Sequence, residues 1–439
     1  MRKLLMIELN EVNFDFVQRY GERGELPRLN ALIAAHGLIE TISEQRYEQL
    51  EPWIQWVSAH TGLSLADHGV TRLGDIVDRP ELKQIWELVE AAGYKVGAVS
   101  PMNARNDCAN PGFFVPDPWT RTKVTGPGLM HRLYDAVAQI VNDNAQERVK
   151  PSSLAWLGAG LARYARPANY PLYAGLIASA PKKSWSRAML LDLLLTDIFV
   201  TMTRRHDVDF ASLFLNAAAH IQHHYMFNAS VYSGPHANPD WYVRADADPL
   251  LDIYRLYDTL VGRIVDAFPQ HRLMVATGLH QDPYPELLFY WRLRDHAAFL
   301  TEMEVPFARV EPRMSRDFVV FCDSTSQAAE AERIMAAAEA SDGQKLFEID
   351  NRGDSLFVML VYPGDIKGLG YRVGNRQFED LAGKTAFVAI KNGEHNGIGY
   401  LIDTDETAGV AKPQIPVTDL FERVRDNFGL RDIAALRAA

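Results

Sequence analysis

The run LLMIEL at residues 4–9 decides the fold. An almost unbroken apolar run of this length is typical of a strand that is buried on both faces of a parallel sheet. Residues 14–20 and 27–35 then read as helices, and a helix at 81–92 precedes a second apolar strand at 95–100. A strand, several helices and another strand within a hundred residues predict a doubly wound α/β sheet.

The rest of the chain reads as one sheet-containing core with two insertions. The predicted core α/β domain comprises residues 1–120, 206–295 and 394–439. Residues 121–205 are mostly helical and basic, which predicts a helical insertion, and residues 296–393 predict an α+β cap subdomain. We therefore expect a three-layer α/β sandwich around a mostly parallel sheet.

The composition is that of a globular protein. The chain has 439 residues, of which 47% are apolar and 10% aromatic, which is too apolar for a disordered chain. Its 45 Lys and Arg residues against 56 Asp and Glu residues give a net charge of −11. This charge argues against a nucleic-acid partner, because affinity for the phosphate backbone comes from clustered cations.

Membrane and redox signals are weak in this sequence. No stretch approaches the roughly 18 apolar residues that suggest a membrane span, and the first apolar run is too short for a signal peptide. The two cysteines, Cys108 and Cys322, lack metal-ligand spacing and cannot form a disulfide framework. We expect no membrane span and a cytoplasmic, reducing location.

Polar residues follow the predicted strands at their carboxyl ends, where open α/β sheets bind ligands. These residues are Glu8, Asn10, Glu11, Asn216, His220, His280 and His395. Asn216 and His220 come directly after a predicted strand at 210–215. His220 and His224 are four residues apart, so on a helix they would share a face and could bind one ion. The alternative is that one of the three histidines at 220–224 is functional and the others pack or face solvent.

Short motifs also occur along the chain in a characteristic order. They are LMIELN at 5–10, LPRLNAL at 26–32, HTG at 60–62, DHGV at 67–70, NAAAH at 216–220, VATGLH at 275–280 and GEH at 393–395. Their order resembles that of the alkaline phosphatase superfamily, most closely its phosphodiesterase and nucleotide-pyrophosphatase branch. The resemblance implies an alkaline-phosphatase-like fold and a reaction at a phosphate ester or phosphodiester of a sugar- or nucleotide-type substrate.

The site residues depart from the pattern of that family, which usually holds two metal ions with three Asp, three His and a Thr or Ser nucleophile. At the aspartate positions this chain has Asn10, Asn216 and Leu279. At the histidine positions it has His220, His280 and His395. Loss of three carboxylates argues against a two-metal site. One divalent ion, with zinc favoured, on His220, His395 and Asn216 stays open, as does a site without metal.

The nucleophile position of the resembled family falls on Glu51 or Pro52. The run EPWIQW at 51–56 places a carboxylate, an amide and two indoles there. A carboxylate can act as nucleophile or general base, and Trp faces commonly stack on sugar rings. The alternatives are that Trp53 and Trp56 belong to the core and that Glu51 is a charge favoured at a helix N-terminus.

These observations predict a hydrolase or transferase acting on a small-molecule or glycan substrate with at most one metal ion. The predicted catalytic residues are Glu51, Glu8 and His280. The predicted substrate contacts are Asn10, Gln55, Trp53, Trp56 and His224. The predicted metal ligands are His220, His395 and Asn216. Two alternatives stay open, a metal-free glycosidase using Glu51 with Glu8, and a ligand-binding protein without catalytic activity.

Overall fold

A computed structural model describes residues 2–142, 150–313, 316–409 and 413–430. The strands are β1 (Leu4–Leu9), β2 (Ile39–Ile42), β3 (Val96–Val99), β4 (Phe113–Val115), β5 (Phe210–Leu215), β6 (Arg272–Ala276), β7 (His280–Leu293), β8 (Arg309–Pro312), β9 (Asp317–Phe321), β10 (Ala338–Ala340), β11 (Phe347–Asn351), β12 (Ser355–Leu360), β13 (Tyr371–Val373), β14 (Arg376–Phe378), β15 (Thr385–Asn396), β16 (Ile398–Asp403) and β17 (Ile415–Pro416).

The α-helices are α1 (Phe14–Glu22), α2 (Pro27–His36), α3 (Pro52–Thr61), α4 (Leu65–His68), α5 (Ile85–Ala91), α6 (Gly128–Asn142), α7 (Pro151–Tyr164), α8 (Tyr170–Ser179), α9 (Ser186–His206), α10 (Ala217–Tyr225), α11 (Pro249–Ala267), α12 (His296–Glu302), α13 (Thr325–Ala336), α14 (Leu381–Lys384) and α15 (Asp419–Phe428). Among the described residues, no helix combines the length and the apolar character that a bilayer span requires.

The chain folds into two compact units. The first unit comprises Met1–Gly234, Val243–Pro283 and Gly393–Ala439, and the second comprises Pro235–Tyr242 and Tyr284–Asn392. The helices of the predicted insertion belong to the first unit, and most of the predicted cap belongs to the second. The finer division into a core, an insertion and a cap stays a prediction.

An eight-stranded sheet forms the centre of the first unit. Its strand order is β17-β2-β16-β6-β1-β5-β3-β4. Strand β1 pairs in parallel with both β5 and β6. The antiparallel pairings within this sheet are those of β16 with β2 and with β6. The predicted α/β fold with a mostly parallel sheet is therefore confirmed.

Helices cover both faces of this sheet, as the burial of all six residues of β1 requires. On one face, Leu4 and Met6 pack with Trp56 of α3, Trp86 of α5 and Phe421 of α15 in one apolar cluster. On the other face, α9 packs on β3 and β5, and α11 packs on α2, α9 and α10. Because side chains alternate along a strand, Glu8 points to the same face as Leu4 and Met6.

The second unit has a separate apolar cluster. Strands β11, β12, β9 and β8 form an antiparallel sheet in that order, and α13 packs on β11 and β12. Phe318, Leu356 and Val358 are fully buried in its cluster. The alternation of buried and partly buried residues along β12 follows from one face of this sheet packing against the helix.

Candidate functional site

The candidate site lies in the first unit, at the carboxyl ends of β1 and β5. Asn10 and Glu11 follow β1 directly, and α10 begins one residue after β5 ends. The three alanines at 217–219 are strong helix formers, so the chain turns into a helix at once and carries its histidines close to the sheet edge. His395 reaches this site from β15, which is followed closely by β16.

Glu11, His223 and His395 form a compact group of potential ligands. Glu11 Oε2 lies 3.3 Å from His223 Nε2 and 3.1 Å from His395 Nε2. Within the part of the chain that the structure describes, this is the one group of three or more His, Cys, Asp or Glu residues whose ligand atoms all lie within 4.8 Å of one another. Burial alone would raise the pKa of Glu11, but His395 and His223 more than offset it and lower that pKa.

Several amides hold Glu11 in place. Asn10 Nδ2 donates to Glu11 Oε1 at 2.9 Å, and Gln281 Nε2 donates to Glu11 Oε2. Gln222 Nε2 donates to the backbone oxygen of Glu11 at 2.6 Å. Glu11 itself has a φ of 59°, in the left-handed region that residues other than glycine seldom adopt. The strained backbone and the amides together fix the carboxylate beside the two imidazoles.

Asn10 and Asn216 form the next layer of the site. Asn10 Nδ2 also donates to Asn216 Oδ1 at 2.8 Å, and Trp56 Nε1 donates to Asn10 Oδ1 at 2.8 Å. These bonds fix both amide orientations, so that the NH2 end of Asn216 is turned away from Asn10. The Trp56 ring is fully buried. It positions Asn10, while its predicted role as a substrate contact stays a prediction.

Glu51 lies near the three ligands at the start of α3. It is the N-cap residue of that helix and is half-buried. Burial raises its pKa, and repulsion from Glu11 adds to that rise, while His395 and His223 act in the opposite direction. A raised pKa increases the proton affinity of a carboxyl group, which is a property expected of a general acid or base.

The other residues of the 51–56 run have local partners. Gln55 is buried, donates to the backbone oxygen of Gln49 at 2.7 Å and accepts from the backbone nitrogen of Glu44 at 3.3 Å. Trp53 is partly buried and donates through Nε1 to the backbone oxygen of Thr71 at 3.1 Å. Both side chains hold neighbouring loops against α3.

Glu8 lies in the interior below the site. Its side chain and that of His60 are fully buried, with Glu8 Oε1 3.3 Å from His60 Nε2. The His60 ring stacks on Trp56, the residue that holds Asn10. This enclosed position leaves the catalytic role of Glu8 a prediction.

His220 and His224 form a separate pair on α10. Their ring centroids are 4.7 Å apart, as the spacing of four residues predicts. Surrounding protein desolvates the His224 ring and lowers its pKa well below the ordinary value of a histidine, whereas His220 is exposed to solvent. A neutral imidazole can bind a metal ion.

His280 lies at the start of β7 with both ring nitrogens engaged. Nδ1 is 2.6 Å from the backbone oxygen of Ile398, and Nε2 is 3.1 Å from Asp282 Oδ1. Asn396 Nδ2 donates to the other oxygen of Asp282 at 2.7 Å. His280 thus ties β7 to β16, and the ligand group of Glu11, His223 and His395 does not include it.

The N-terminus of α10 is anchored by a buried carboxylate. Asp192 of α9 accepts hydrogen bonds from the backbone nitrogen of Ala217 at 2.9 Å and from the hydroxyl of Tyr257 at 2.6 Å. Burial raises the pKa of Asp192 to about 6, which these bonds partly oppose. The helix that carries three site histidines is therefore held at its first residue.

Gln222 and Gln281 are not singled out in the sequence. Glu11 and His223 are singled out only as a strand-end residue and as one of three neighbouring histidines, without an assigned role. The position of Glu11 directly after β1 is the signal that marks it. His223 lies about 60° around the helix from His220 and about 100° from His224, so the same histidine run presents two faces. The glutamines carry no signal in the sequence.

Several solved structures are similar to this chain at low identity. They include phosphonoacetate hydrolase from Sinorhizobium meliloti 1021 in complex with phosphonoformate, with 12% identity, a TM-score of 0.46 and coverage of 97% of this chain and 96% of that chain. They also include murine ectonucleotide pyrophosphatase/phosphodiesterase 5, with 9% identity, a TM-score of 0.40 and coverage of 98% and 95%. Alkaline phosphatase PafA has 11% identity, a TM-score of 0.46 and coverage of 98% and 96%.

No protein-family model and no curated protein sequence matches the chain. The chemistry of the site therefore depends on the side chains described above.

Proposed function

We propose that this chain is a hydrolase of phosphate esters or phosphodiesters that holds one divalent metal ion on Glu11, His223 and His395. The observation that carries the proposal is the convergence of one ionised carboxylate oxygen and two imidazole nitrogens within 4.8 Å at the sheet edge. Two histidines and one carboxylate are a ligand set that zinc takes in catalytic sites, where a fourth position stays open. The donor set therefore fits zinc.

A bound zinc ion would supply a Lewis acid that stabilises negative charge on a phosphoryl oxygen. The protein contributes the remaining functions. Asn10 and Gln281 hold the Glu11 carboxylate through hydrogen bonds to its two oxygens. The NH2 end of Asn216, fixed by its bond to Asn10, would donate to a phosphoryl oxygen. The motif resemblance implies that the substrate carries a sugar or a nucleotide, and this stays an expectation.

Glu51 would serve as the general base. Its carboxylate takes the proton of the attacking water as the new P–O bond forms. That proton is then available to the oxygen of the leaving group as the bond between phosphorus and that oxygen breaks. Burial of Glu51 favours its taking up a proton, and Glu51 is not a metal ligand in this assignment.

The test separates this ligand set from the alternative of His220, His395 and Asn216. The full chain is stripped with a chelator, titrated with zinc and assayed with bis(p-nitrophenyl) phosphate, alongside His223→Ala, His220→Ala and His131→Ala. His131 is an exposed histidine of α6 and serves as the matched control. We expect His223→Ala to lose roughly tenfold or more in zinc affinity together with its activity, because it removes a direct ligand.

His131→Ala should match the wild type, and His220→Ala should retain zinc. Loss of zinc from His220→Ala with retention by His223→Ala would overturn the assignment in favour of the alternative set. A wild-type chain that binds no zinc, and whose activity survives the chelator, would replace the proposal with a metal-free enzyme.

A further inference from the structure

Helices α7 and α8 of the first unit expose large apolar side chains. The described residues include seven large hydrophobic side chains that are exposed, and four of them lie on these two helices. Leu154, Trp156, Tyr170 and Ile177 are 57%, 40%, 57% and 54% exposed, respectively. We use the term α7–α8 face for the exposed surface of these two helices, on which Leu154 and Trp156 point to different sides of α7 because they are two residues apart. Single exposed hydrophobic residues are ordinary, but a concentration of this kind marks an interaction surface.

One glycine on each of these two helices faces open space. A Cβ atom added at Gly158 of α7 or at Gly175 of α8 would find no heavy atom within 4 Å. Tyr173 is the buried residue of α8, so most of this helix is open to solvent. A helix this apolar is unusual at a protein surface unless something else covers it.

The charges in this region are of one sign. The 42 residues from Lys150 to Leu191 contain six Lys and Arg and no Asp or Glu, in a chain with a net charge of −11. Lys150, Arg163, Lys182 and Arg187 are exposed, and none of the four forms an ion pair with the described residues. Lys150 precedes α7, Arg163 lies on α7, Lys182 follows α8, and Arg187 lies in the first turn of α9.

We propose that the α7–α8 face binds the surface of a membrane that contains anionic phospholipids. Helices that combine apolar side chains with Lys and Arg lie in the bilayer interface, where the cations meet lipid phosphates. The indole of Trp156 and the phenol of Tyr170 suit the headgroup level, since each has an apolar ring and a polar end. The guanidinium of Arg132 lies 5.8 Å from the Trp156 ring centroid and adds a further cation.

A second copy of this chain is a poorer occupant of the same face. Pairing two copies through α7 and α8 would bring two groups of unpaired cations together without a carboxylate between them. An anionic bilayer would bury the apolar side chains and place lipid phosphates beside the cations. This proposal is independent of the hydrolase proposal, because it uses none of the residues of the candidate site.

Vesicle sedimentation with the full chain tests the proposal. The vesicles contain phosphatidylcholine alone or equal parts of phosphatidylcholine and phosphatidylserine. We expect the protein to sediment with the anionic vesicles and to be released by added salt, because screening weakens attraction to lipid phosphates.

Two pairs of variants identify the surface. Arg163→Gln with Lys182→Gln should reduce partitioning into anionic vesicles by roughly tenfold, whereas Lys345→Gln with Lys367→Gln, two cations of the second unit, should not. Leu154→Gln with Ile177→Gln should also lose binding, with Leu287→Gln as the control for an exposed leucine elsewhere. Circular dichroism of each variant should match that of the wild type, since the substituted side chains are exposed.

Equal sedimentation of the wild type with both kinds of vesicle, or with neither, would overturn the proposal. So would a Leu154→Gln, Ile177→Gln variant that binds as the wild type does. A wild-type dimer in sedimentation velocity that this variant breaks, without vesicle binding by the wild type, would assign the face to a second copy instead.

Discussion

The pKa of the Glu51 carboxyl group depends on burial and on three neighbouring titratable side chains. Burial raises this pKa, Glu11 raises it further, and His395 and His223 offset part of that rise. A general base must be ionised to act, so kcat/KM should fall at low pH as Glu51 takes up a proton. We expect an acid limb in the pH–rate profile that depends on this carboxyl group.

Glu51→Gln should remove this limb and lower kcat by roughly a hundredfold or more, since general-base catalysis commonly contributes that much. Glu48→Gln changes an exposed glutamate three residues away and is the matched control. Zinc content should be the same in both variants. A Glu51→Gln enzyme with the wild-type profile would show that another group accepts the proton.

The candidate site is partly predictable from its residues. Asn10, Asn216 and His395 all stand where the motif order places them, and the structure brings them to one sheet edge. The contribution of Glu11 depends on a left-handed backbone and on the side chain of Gln281, which is 270 residues away. Contacts between residues so far apart leave no periodic pattern in a sequence, so only the folded structure reveals them.

At the scale of the helix, Asp192 links the stability of α10 to pH. Its pKa is raised from 3.8 to about 6 by burial, so the folded state binds a proton more tightly than the unfolded state. The resulting stabilisation is complete below pH 3.8 and is lost as the pH rises through 6. The full span is worth about 3 kcal/mol as an upper estimate.

Asp192→Asn cannot ionise and should lack this slope. Urea unfolding between pH 4 and 6 should show the wild type losing stability relative to Asp192→Asn as the pH rises. Asp207→Asn, at an exposed aspartate, should keep the wild-type slope in this range. If the free energy of unfolding changed with pH in the same way in the wild type and in Asp192→Asn, the pH dependence would not come from Asp192.

The C-terminus of α3 is fixed by a close approach at Gly62. This residue has a φ of 68°, and a Cβ atom added there would lie 2.5 Å from Cδ1 of Phe421 on α15. Gly62→Ala should therefore destabilise the fold by roughly 2–4 kcal/mol, from backbone strain together with overpacking. Gly24 also has a positive φ, 76°, but a Cβ atom added there would have no heavy atom within 4 Å. Gly24→Ala is therefore the control.

Comparison of the two variants isolates the contact with Phe421. Gly24→Ala should lower the free energy of unfolding only by the roughly 1–2 kcal/mol that backbone strain costs. Denaturant unfolding of both variants gives the difference. Equal losses would mean that α15 shifts freely to accommodate the added methyl group.

The elements around the sheet follow closely from local pattern. The apolar runs at 4–9 and 210–215 become β1 and β5 with the same bounds. The helix predicted at 81–92 is shorter, Ile85–Ala91, because it begins at a capping box formed by Gln84 and Glu87. Apolar periodicity locates an element, while hydrogen bonds at its ends determine its length.

At the scale of the whole molecule, the second unit includes a segment that local pattern does not predict. Residues 235–242 belong with residues 284–392, although they are separated from them in sequence. The rings of Trp241 and Tyr242 lie 4.9 and 5.1 Å from that of Phe387, and the side chains of Asn238 and Asn392 exchange two hydrogen bonds. These few side chains in a turn-rich segment give no periodic signal, so only the folded structure reveals the connection.

The separation of charge described for residues 150–191 has a consequence for handling the protein. These residues carry a charge of +6, so the rest of the chain carries −17 once this is removed from the total of −11. A resin responds to the side of a molecule that faces it, more than to the average. We expect retention on heparin and on cation exchangers at a pH above the isoelectric point of about 5.7, where the net charge alone predicts that the protein flows through.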